Sequence, residues 1–250
     1  MPVELTVVIP TRDEAAQIAE AVSALRWATE VIVVDGESTD GTATLAAAAG
    51  ARVIDGGTQT IGAKRNMGIE AAAHEWILAL DADERVSDEL RGRIETIIAG
   101  RATRHAAYRI RFRNFFLGKE LKHGPYGRDR HVRLFTRDRR YTTSHVHEGL
   151  EPIEDLGEIV EPIRHQPFRD FPHYIRKVVQ YARWGADDIR SRGIQVGYSD
   201  LLVRPWWRFT RDYLFWGAFL DGLPGFLVCA YAGVGTFLKY CYAFVEQEYP

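Results

Sequence analysis

The run Trp76-Ile77-Leu78-Ala79-Leu80 leads straight into Asp81-Ala82-Asp83-Glu84, and this junction decides how the chain is read. Five consecutive apolar residues closed by charge read as a strand buried on both faces, as in a parallel sheet. Such a strand delivers Asp81 and Asp83 to its C-terminal end, the edge where open α/β sheets collect ligands. Two carboxylates two residues apart there suit a hard divalent cation that holds phosphate oxygens. A polar turn closing a strand would look the same in isolation, so the surrounding sequence carries the weight.

Upstream, strands and helices alternate. Residues 5–9 form a β-branched run closed by Pro10, and residues 13–27 have apolar positions at helical spacing with Thr11 as a plausible cap. Residues 31–34 read as a second strand ending at Asp35-Gly36, and residues 39–49 as an Ala-rich helix stopped by Gly50. A short strand at 52–54, a helix at 61–73 and the strand at 76–80 follow. Ser87 then caps a helix over 87–99 whose apolar face is Leu90, Ile94, Ile97 and Ile98. This alternation implies a mostly parallel sheet flanked by helices, joined by right-handed crossovers.

From about residue 105 the pattern changes. Strands are expected at 107–112, 132–135 and 158–164, with a Gly-, Pro- and Arg-rich loop between the first two, and a long amphipathic helix at 171–191. The expected organisation is 1–100 as one half of an α/β domain, 101–170 as the other half, and 171–250 as a helical C-terminal region. In that region Trp206, Trp207, Phe215 and Trp216 alternate with arginines, and an uncharged stretch of about 17 residues, 222–238, is at the lower limit for spanning a bilayer. Aromatic residues with arginines point to an interfacial membrane contact; a buried hairpin or an oligomer interface fits the same residues.

The formal net charge is only -2, but residues 1–100 carry 8 basic and 17 acidic side chains and residues 101–250 carry 24 and 17. The basic second half is suited to an anionic partner such as phosphate, anionic lipid or acidic glycan. Its arginines lack the aromatic interleaving of a single-strand nucleic-acid groove, so nucleic acid is not expected. Cys229 and Cys241 define neither a disulfide framework nor a metal spacing. No signal peptide is expected at the N-terminus.

Three strand ends carry polar groups: Pro10-Thr11-Arg12-Asp13, Asp35 through Thr42, and Asp81 through Glu84. Gly62-Ala63-Lys64-Arg65-Asn66 lies near a helix start, where backbone N–H groups and two cations can hold a diphosphate. In this order and spacing the motifs resemble family 2 glycosyltransferases of the GT-A fold, a Rossmann-like nucleotide-binding α/β class. The likeness is close over residues 3–100. The second half, with Arg133-Leu134-Phe135, Val146-His147-Glu148 and an aromatic C-terminus, resembles the lipopolysaccharide core β-glucosyltransferases. One departure is Asp35-Gly36, where the commoner pattern is Asp-Asp.

The resemblance implies a metal-dependent inverting transfer of a hexose, by preference glucose from UDP-glucose, to a lipid-linked or phosphorylated saccharide such as the lipopolysaccharide inner core. The donor side would comprise Pro10, Thr11, Arg12, Glu14, Asp35, Lys64, Arg65, Asp81, Ala82 and Asp83. Thr11 and Asp35 would meet base and ribose, Lys64 and Arg65 the diphosphate, and Asp81 the ribose and donor sugar. Asp83 would ligate Mg²⁺ or Mn²⁺, with Asp81 and His165 as further ligand candidates. Glu148 is the candidate general base and Asp129 its reserve; Arg128, Arg130, Arg133 and His147 are candidate acceptor contacts. His145 and His147 alternate along an extended segment but are incomplete for a structural zinc site. The expected location is the cytoplasmic side, peripheral to the inner face of the membrane, with a homo-oligomer left open. Two rivals remain: a nucleotidyltransferase, for which the chain lacks a Gly-rich loop with a basic residue after the first strand, and a catalytically silent scaffold.

Overall fold

The computed structural model describes residues 3–102, 105–142, 149–167 and 171–249. The chain divides into two compact units: Met1–Phe112 with Arg130–His165, and Arg113–Asp129 with Gln166–Pro250.

The first unit is built on β1 (Val3–Thr11), α1 (Ile18–Ser23), β2 (Ala28–Asp35), α2 (Thr42–Ala48), β3 (Arg52–Asp55), α3 (Ile61–Ala71), β4 (Trp76–Ala79), β5 (Glu84–Val86) and α4 (Asp88–Ile98). The strand β6 (Ala107–Phe116) begins in this unit and ends in the second, which also holds β7 (Lys119–Leu121). Two further strands, β8 (Arg130–Thr136) and β9 (Leu156–His165), return to the first unit. The strand order is β3-β2-β1-β4-β8-β6-β9-β5, with β7 paired to the end of β6. It is parallel from β3 to β4 and antiparallel where β8 meets β4 and β6, and where β5 meets β9. Residues 107–111 and 130–135 thus pair into the same sheet as β1 to β4.

Alternation along the strands makes two cores. Leu5, Val7, Ile9 and Leu78 pack on one face with Ile18, Val22, Ala46, Leu90, Ile94 and Ile97 of α1, α2 and α4. Val8, Ile32, Val34, Ile77 and Ala79 pack on the other with Ile69 and Ala72. Each fully buried aliphatic side chain contributes about 1.5–3 kcal/mol. The close approach of α3 depends on Gly68, where a Cβ would lie 2.3 Å from Val8 Cγ1.

Two expected helices are shorter than the apolar spacing predicts. Residues 12–17 are not helical, because their N–H groups go to side chains of the next loop: Asp13 N–H to Ser38 Oγ, Glu14 N–H to Thr42 Oγ1 and Ala15 N–H to Asp40 Oδ2. Asp13 itself has φ 54°, and Thr11 ends β1 instead of capping a helix. α2 starts at Thr42, after Gly41 at φ 90°, with Asp40 accepting from Thr42 N–H. Ser87 caps α4 as expected, accepting from Leu90 N–H at 3.2 Å.

The second unit contains α5 (Phe171–Ser191), α6 (Tyr198–Thr210) and α7 (Gly222–Glu248), with a π-helical turn at Arg211–Phe215. α7 packs against both α5 and α6. Its buried residues Pro224, Gly225, Val228, Cys229, Gly233, Tyr240 and Ala243 form one stripe. By length and composition, residues Ala218–Glu248 could cross a membrane.

Candidate functional site

β1 is followed outward by β2 on one side and β4 on the other, so chain order reverses between β1 and β4. Crevices at such a reversal, outside the strands' C-terminal ends, are where α/β sheets bind ligands. Thr11, Asp35 and the Asp81 turn all end strands at that edge. Thr11 pairs with Asp35 in register, and its hydroxyl points to Asp35 Oδ1 at 3.4 Å. Asp35 also accepts from Ser38 N–H at 3.0 Å and Ser38 Oγ at 2.6 Å. Ser38 in turn accepts from Asp13 N–H, and Thr39 N–H donates to Asp13 Oδ1 at 2.8 Å. The loops after β1 and β2 are thus one hydrogen-bonded unit, with Asp13 and Glu37 both held at positive φ. Non-glycine residues in that region carry strain that concentrates at functional sites.

α3 opens beside this edge. Thr60 caps it, accepting from Ala63 N–H at 3.2 Å. Lys64 and Arg65, which the sequence could have placed on a solvated face, are both buried. Lys64 is threaded between two glycines: a Cβ on Gly36 would lie 2.2 Å from its Nζ, and one on Gly56 would lie 2.9 Å from its Cγ and Cδ. This gives the Asp35-Gly36 departure a physical reason, because a side chain at Gly36 would take the place of the ammonium.

Arg65 Nη2 donates to Asp81 Oδ1 at 2.6 Å, and its guanidinium lies 4.9 Å from the centre of the Tyr141 ring. Arg133 Nη2 donates to Asp81 Oδ2 at 3.0 Å and to Glu84 Oε1. Glu84 Oε2 accepts from Asp81 N–H at 3.0 Å. Asn66 fixes Tyr141 from both sides, donating to its carbonyl at 2.9 Å and accepting from its N–H at 2.8 Å. Arg65 Nε, Arg133 Nε and Tyr141 Oη are buried with no hydrogen-bond partner among the described residues, polar capacity that a bound polar group can use.

Burial works to raise the Asp81 pKa, but the guanidiniums of Arg65 and Arg133 outweigh it and hold the carboxyl far below its ordinary range. Both Asp81 oxygens are engaged by arginine, and its side chain remains 35% exposed. The opposite holds at Glu84, where burial, reinforced by Asp81 and Asp83 against the pull of Arg133, pushes the pKa up to about 8.

Asp83, Glu84 and His165 form a cluster whose ligand atoms all lie within 4.8 Å of one another. The β5–β9 ladder sets it, pairing Glu84 with His165 in register. His165 Nε2 is 3.5 Å from Asp83 Oδ1. Burial opposes the imidazolium, yet the Asp83 hydrogen bond and the neighbouring carboxylates outweigh it and raise the His165 pKa. The site thus gathers positive charge against two carboxylates. Both Glu84 oxygens are engaged by Arg133 and the Asp81 N–H, so Asp83 and His165 are the donors on offer; a carboxylate suits Mg²⁺ or Mn²⁺, and the imidazole favours Mn²⁺ of the two. An octahedral ion with ligands at about 2.1 Å needs donor atoms roughly 3–4.2 Å apart, so small side-chain adjustments close this cluster on an ion. Asp81, a candidate ligand from sequence, is not part of the cluster.

The remaining candidates are dispersed. Pro10 and Ala82 are buried, Arg12 is exposed, and Glu14 accepts from Gln17 Nε2. Arg130 pairs with Glu158 at 3.0 Å on the surface of the first unit. Arg133, an expected acceptor contact, is buried and donates to Asp81 and Glu84. In the second unit, Arg128 lies over Trp216, and Asp129 accepts from Asn114 Nδ2 at 3.1 Å. Glu148, His145 and His147 lie outside the described residues. Sequence reasoning did not single out Glu84, Tyr141 or Gly56. Glu84 had a signal, a third acidic residue in the strand-end cluster; Tyr141 had none, because its contacts with Arg65 and Asn66 are made only in the fold.

The sequence model of glycosyl transferase family 2 matches residues 6–149. An uncharacterized glycosyltransferase of Rickettsia typhi is 26% identical over 248 residues, covering 94% of this chain and 85% of the relative. The lipopolysaccharide core biosynthesis glycosyltransferase LpsC of Rhizobium meliloti is 26% identical over 238 residues, covering 90% and 86%. The crystal structure of a mycobacterial protein superposes with a TM-score of 0.51 at 16% identity, covering 76% of this chain and 75% of that one.

Proposed function

The chain belongs to glycosyl transferase family 2 and is a GT-A glycosyltransferase, and from that premise we propose that it moves a hexose from a nucleoside diphosphate sugar to a saccharide hydroxyl with inversion. The observation that carries this reading is the joint presence, at one sheet edge, of the Thr11–Asp35 pair, the buried Lys64 and the Asp83–Glu84–His165 cluster.

In this reading Thr11 and Asp35 receive base and ribose, and Lys64 with the N-terminus of α3 receives the diphosphate. Asp83 and His165 hold Mg²⁺ or Mn²⁺, with Glu84 behind them; the cation neutralises charge on the departing nucleoside diphosphate. Asp81, clamped by Arg65 and Arg133, presents its exposed edge to ribose and donor sugar. Glu148 accepts the proton of the acceptor hydroxyl, with Asp129 in reserve. UDP-glucose is the proposed donor. The LpsC relative supports an acceptor in the lipopolysaccharide core; the proposed acceptor is the inner core, and the proposed location is the inner face of the cytoplasmic membrane.

The test is thermal stabilisation by UDP, GDP, ADP and CMP, each with and without Mn²⁺. Ligand at about 100 times its dissociation constant adds roughly 2.7 kcal/mol of stability. One nucleotide stabilising in a metal-dependent way supports the donor site and names the base; no shift with any of the four rejects it.

Two substitutions probe separate parts of this assignment. A Cβ in Gly36→Ala lies 2.2 Å from the buried Lys64 Nζ and 3.0 Å from the Thr11 carbonyl oxygen, so a stability loss of about 1–3 kcal/mol accompanies displacement of the ammonium. Affinity for the nucleoside diphosphate falls about tenfold; unchanged affinity removes Lys64 from the diphosphate site. Glu148→Gln lowers turnover at least about a hundredfold while donor binding is retained, as expected for loss of a general base. If that variant keeps most of its turnover and Asp129→Asn does not, Asp129 is the base.

A further inference from the structure

We infer that the outer face of α6 and the turn after it is a docking surface for an anionic lipid bilayer, which α7 does not cross. The inference deepens the membrane location of the proposed function but rests on a different part of the chain.

α6 is amphipathic in the reverse sense. Tyr198, Leu202, Trp206 and Trp207 are exposed, with Trp206 at 73%. The patch continues into Phe215, 69% exposed, whose ring lies 5.9 Å from that of Trp207, and then to Leu220. A contiguous apolar patch of this kind on a soluble face marks an interaction site.

The partner is selected by charge. Arg204, Arg208 and Arg211 flank the face, and each is paired with an aspartate: Arg204 with Asp200, Arg208 and Arg211 with Asp212. The pairs are asymmetric. Arg204 is 59% exposed against 20% for Asp200, and Arg208 and Arg211 are 41% and 31% exposed against a fully buried Asp212. The arginine is the more exposed member of every pair, so the solvent-exposed part of this flank beside the aromatic face is basic. That composition matches the headgroup region of an anionic membrane. A second copy docked through the same face would set arginine against arginine.

Crossing is opposed by what surrounds α7. One side of it packs on α5: Tyr174 Oη donates to Val228 O at 3.3 Å, and a Cβ on Gly185 would lie 2.6 Å from Lys239 Cδ. α5 carries Arg176, Arg183, Asp187 and Arg190, all exposed, with Arg183 over the Tyr242 ring of α7 and Arg190 paired with Glu246 at its end. A spanning α7 would draw these charges into hydrocarbon, which the membrane resists strongly.

The full-length protein is mixed with vesicles of phosphatidylcholine alone or with added phosphatidylglycerol, at low and high salt. Binding is expected to the anionic vesicles at low salt, with tryptophan emission quenched by lipids brominated near the headgroup and not by those brominated near the chain ends. Replacing both tryptophans (Trp206→Ala with Trp207→Ala) lowers partitioning about tenfold or more, since binding scales with the apolar area inserted. Arg204→Gln lowers it about fivefold on anionic vesicles only. Unchanged partitioning in the tryptophan variant, deep quenching in the wild type, or a lipid-free dimer that this variant converts to monomer would each overturn the inference. The Mn²⁺-dependent nucleotide shift is read on the same samples. Its persistence with lost vesicle binding isolates the docking face, and its absence counts against the donor site alone.

Discussion

Asp83→Ala is expected to abolish the metal-dependent part of nucleotide binding and to lower turnover by about a thousandfold or more. Asp83 is one of two carboxylates in the cluster with His165, and it is the ligand that reaches the outer side of the site, Glu84 being engaged by Arg133 and the Asp81 N–H. A cation that neutralises a leaving diphosphate supplies several kcal/mol of transition-state stabilisation, and each 1.36 kcal/mol is about tenfold in rate. Removing one of two adjacent carboxylates relieves repulsion but takes from His165 its Asp83 partner, so the metal-free variant loses about 1–3 kcal/mol, which melting in EDTA separates from the metal effect. His165→Ala behaves similarly but more weakly, about 10- to 100-fold. Nucleotide stabilisation measured with EDTA and with Mn²⁺ decides the matter. A Mn²⁺ enhancement that survives in Asp83→Ala removes this cluster as the metal site.

The second large effect is on stability. Arg133→Met deletes a buried guanidinium that bridges Asp81 and Glu84. Removing one partner of a buried ion pair costs about 3–5 kcal/mol because the other charge is left uncompensated. For a chain of this size, each kcal/mol lowers the melting temperature by about 2–4 °C, so a fall of roughly 6–20 °C is expected. Adding Glu84→Gln to Arg133→Met should recover a large share of it. The size of the defect depends on pH. In metal-free protein, burial holds the folded Glu84 pKa near 8, above its ordinary 4.5. The stability linked to its protonation is full below about pH 4.5 and is lost as pH rises through about 8. Without Arg133 the ionised form loses its partner, so the melting deficit in EDTA should be larger at pH 8.5 than at pH 5, and Glu84→Gln should flatten the dependence. If Arg133 instead faced the acceptor at the surface, Arg133→Met would raise the acceptor KM and leave melting unchanged at both pH values.

The parallel half of the fold was legible because its signals are local. A run such as Trp76–Leu80 must be buried on both faces, and a polar strand end such as Asp81–Glu84 must then sit at the sheet's ligand edge. The same holds for the long helix Phe171–Ser191, whose extent follows from its 3.6-residue period. The failures at residues 12–17 and 39–41 share one cause. The N–H groups of Asp13, Glu14, Ala15 and Thr39 are taken by Ser38, Thr42, Asp40 and Asp13 across the two loops, 25–28 residues apart, and helical periodicity carries no information about such partners.

The sequence by itself determined the class of chemistry: which strand ends bear carboxylates, that a Lys-Arg pair opens a helix beside them, and that the C-terminal region mixes aromatic residues with arginine. These depend on residue type and spacing along the chain. Only the tertiary structure decided which charge meets which. It set Arg133 as a clamp on Asp81 and Glu84, put His165 beside Asp83 through the register of β5 and β9, and gave Gly36 its reason in the path of Lys64. It also packed one stripe of α7 on α5 and α6 while leaving the tryptophans of α6 exposed. The physical reason is range: burial preference and helical period act between neighbours in sequence, whereas ion pairing and steric fit in a low-dielectric site depend on distances that only the closed fold establishes.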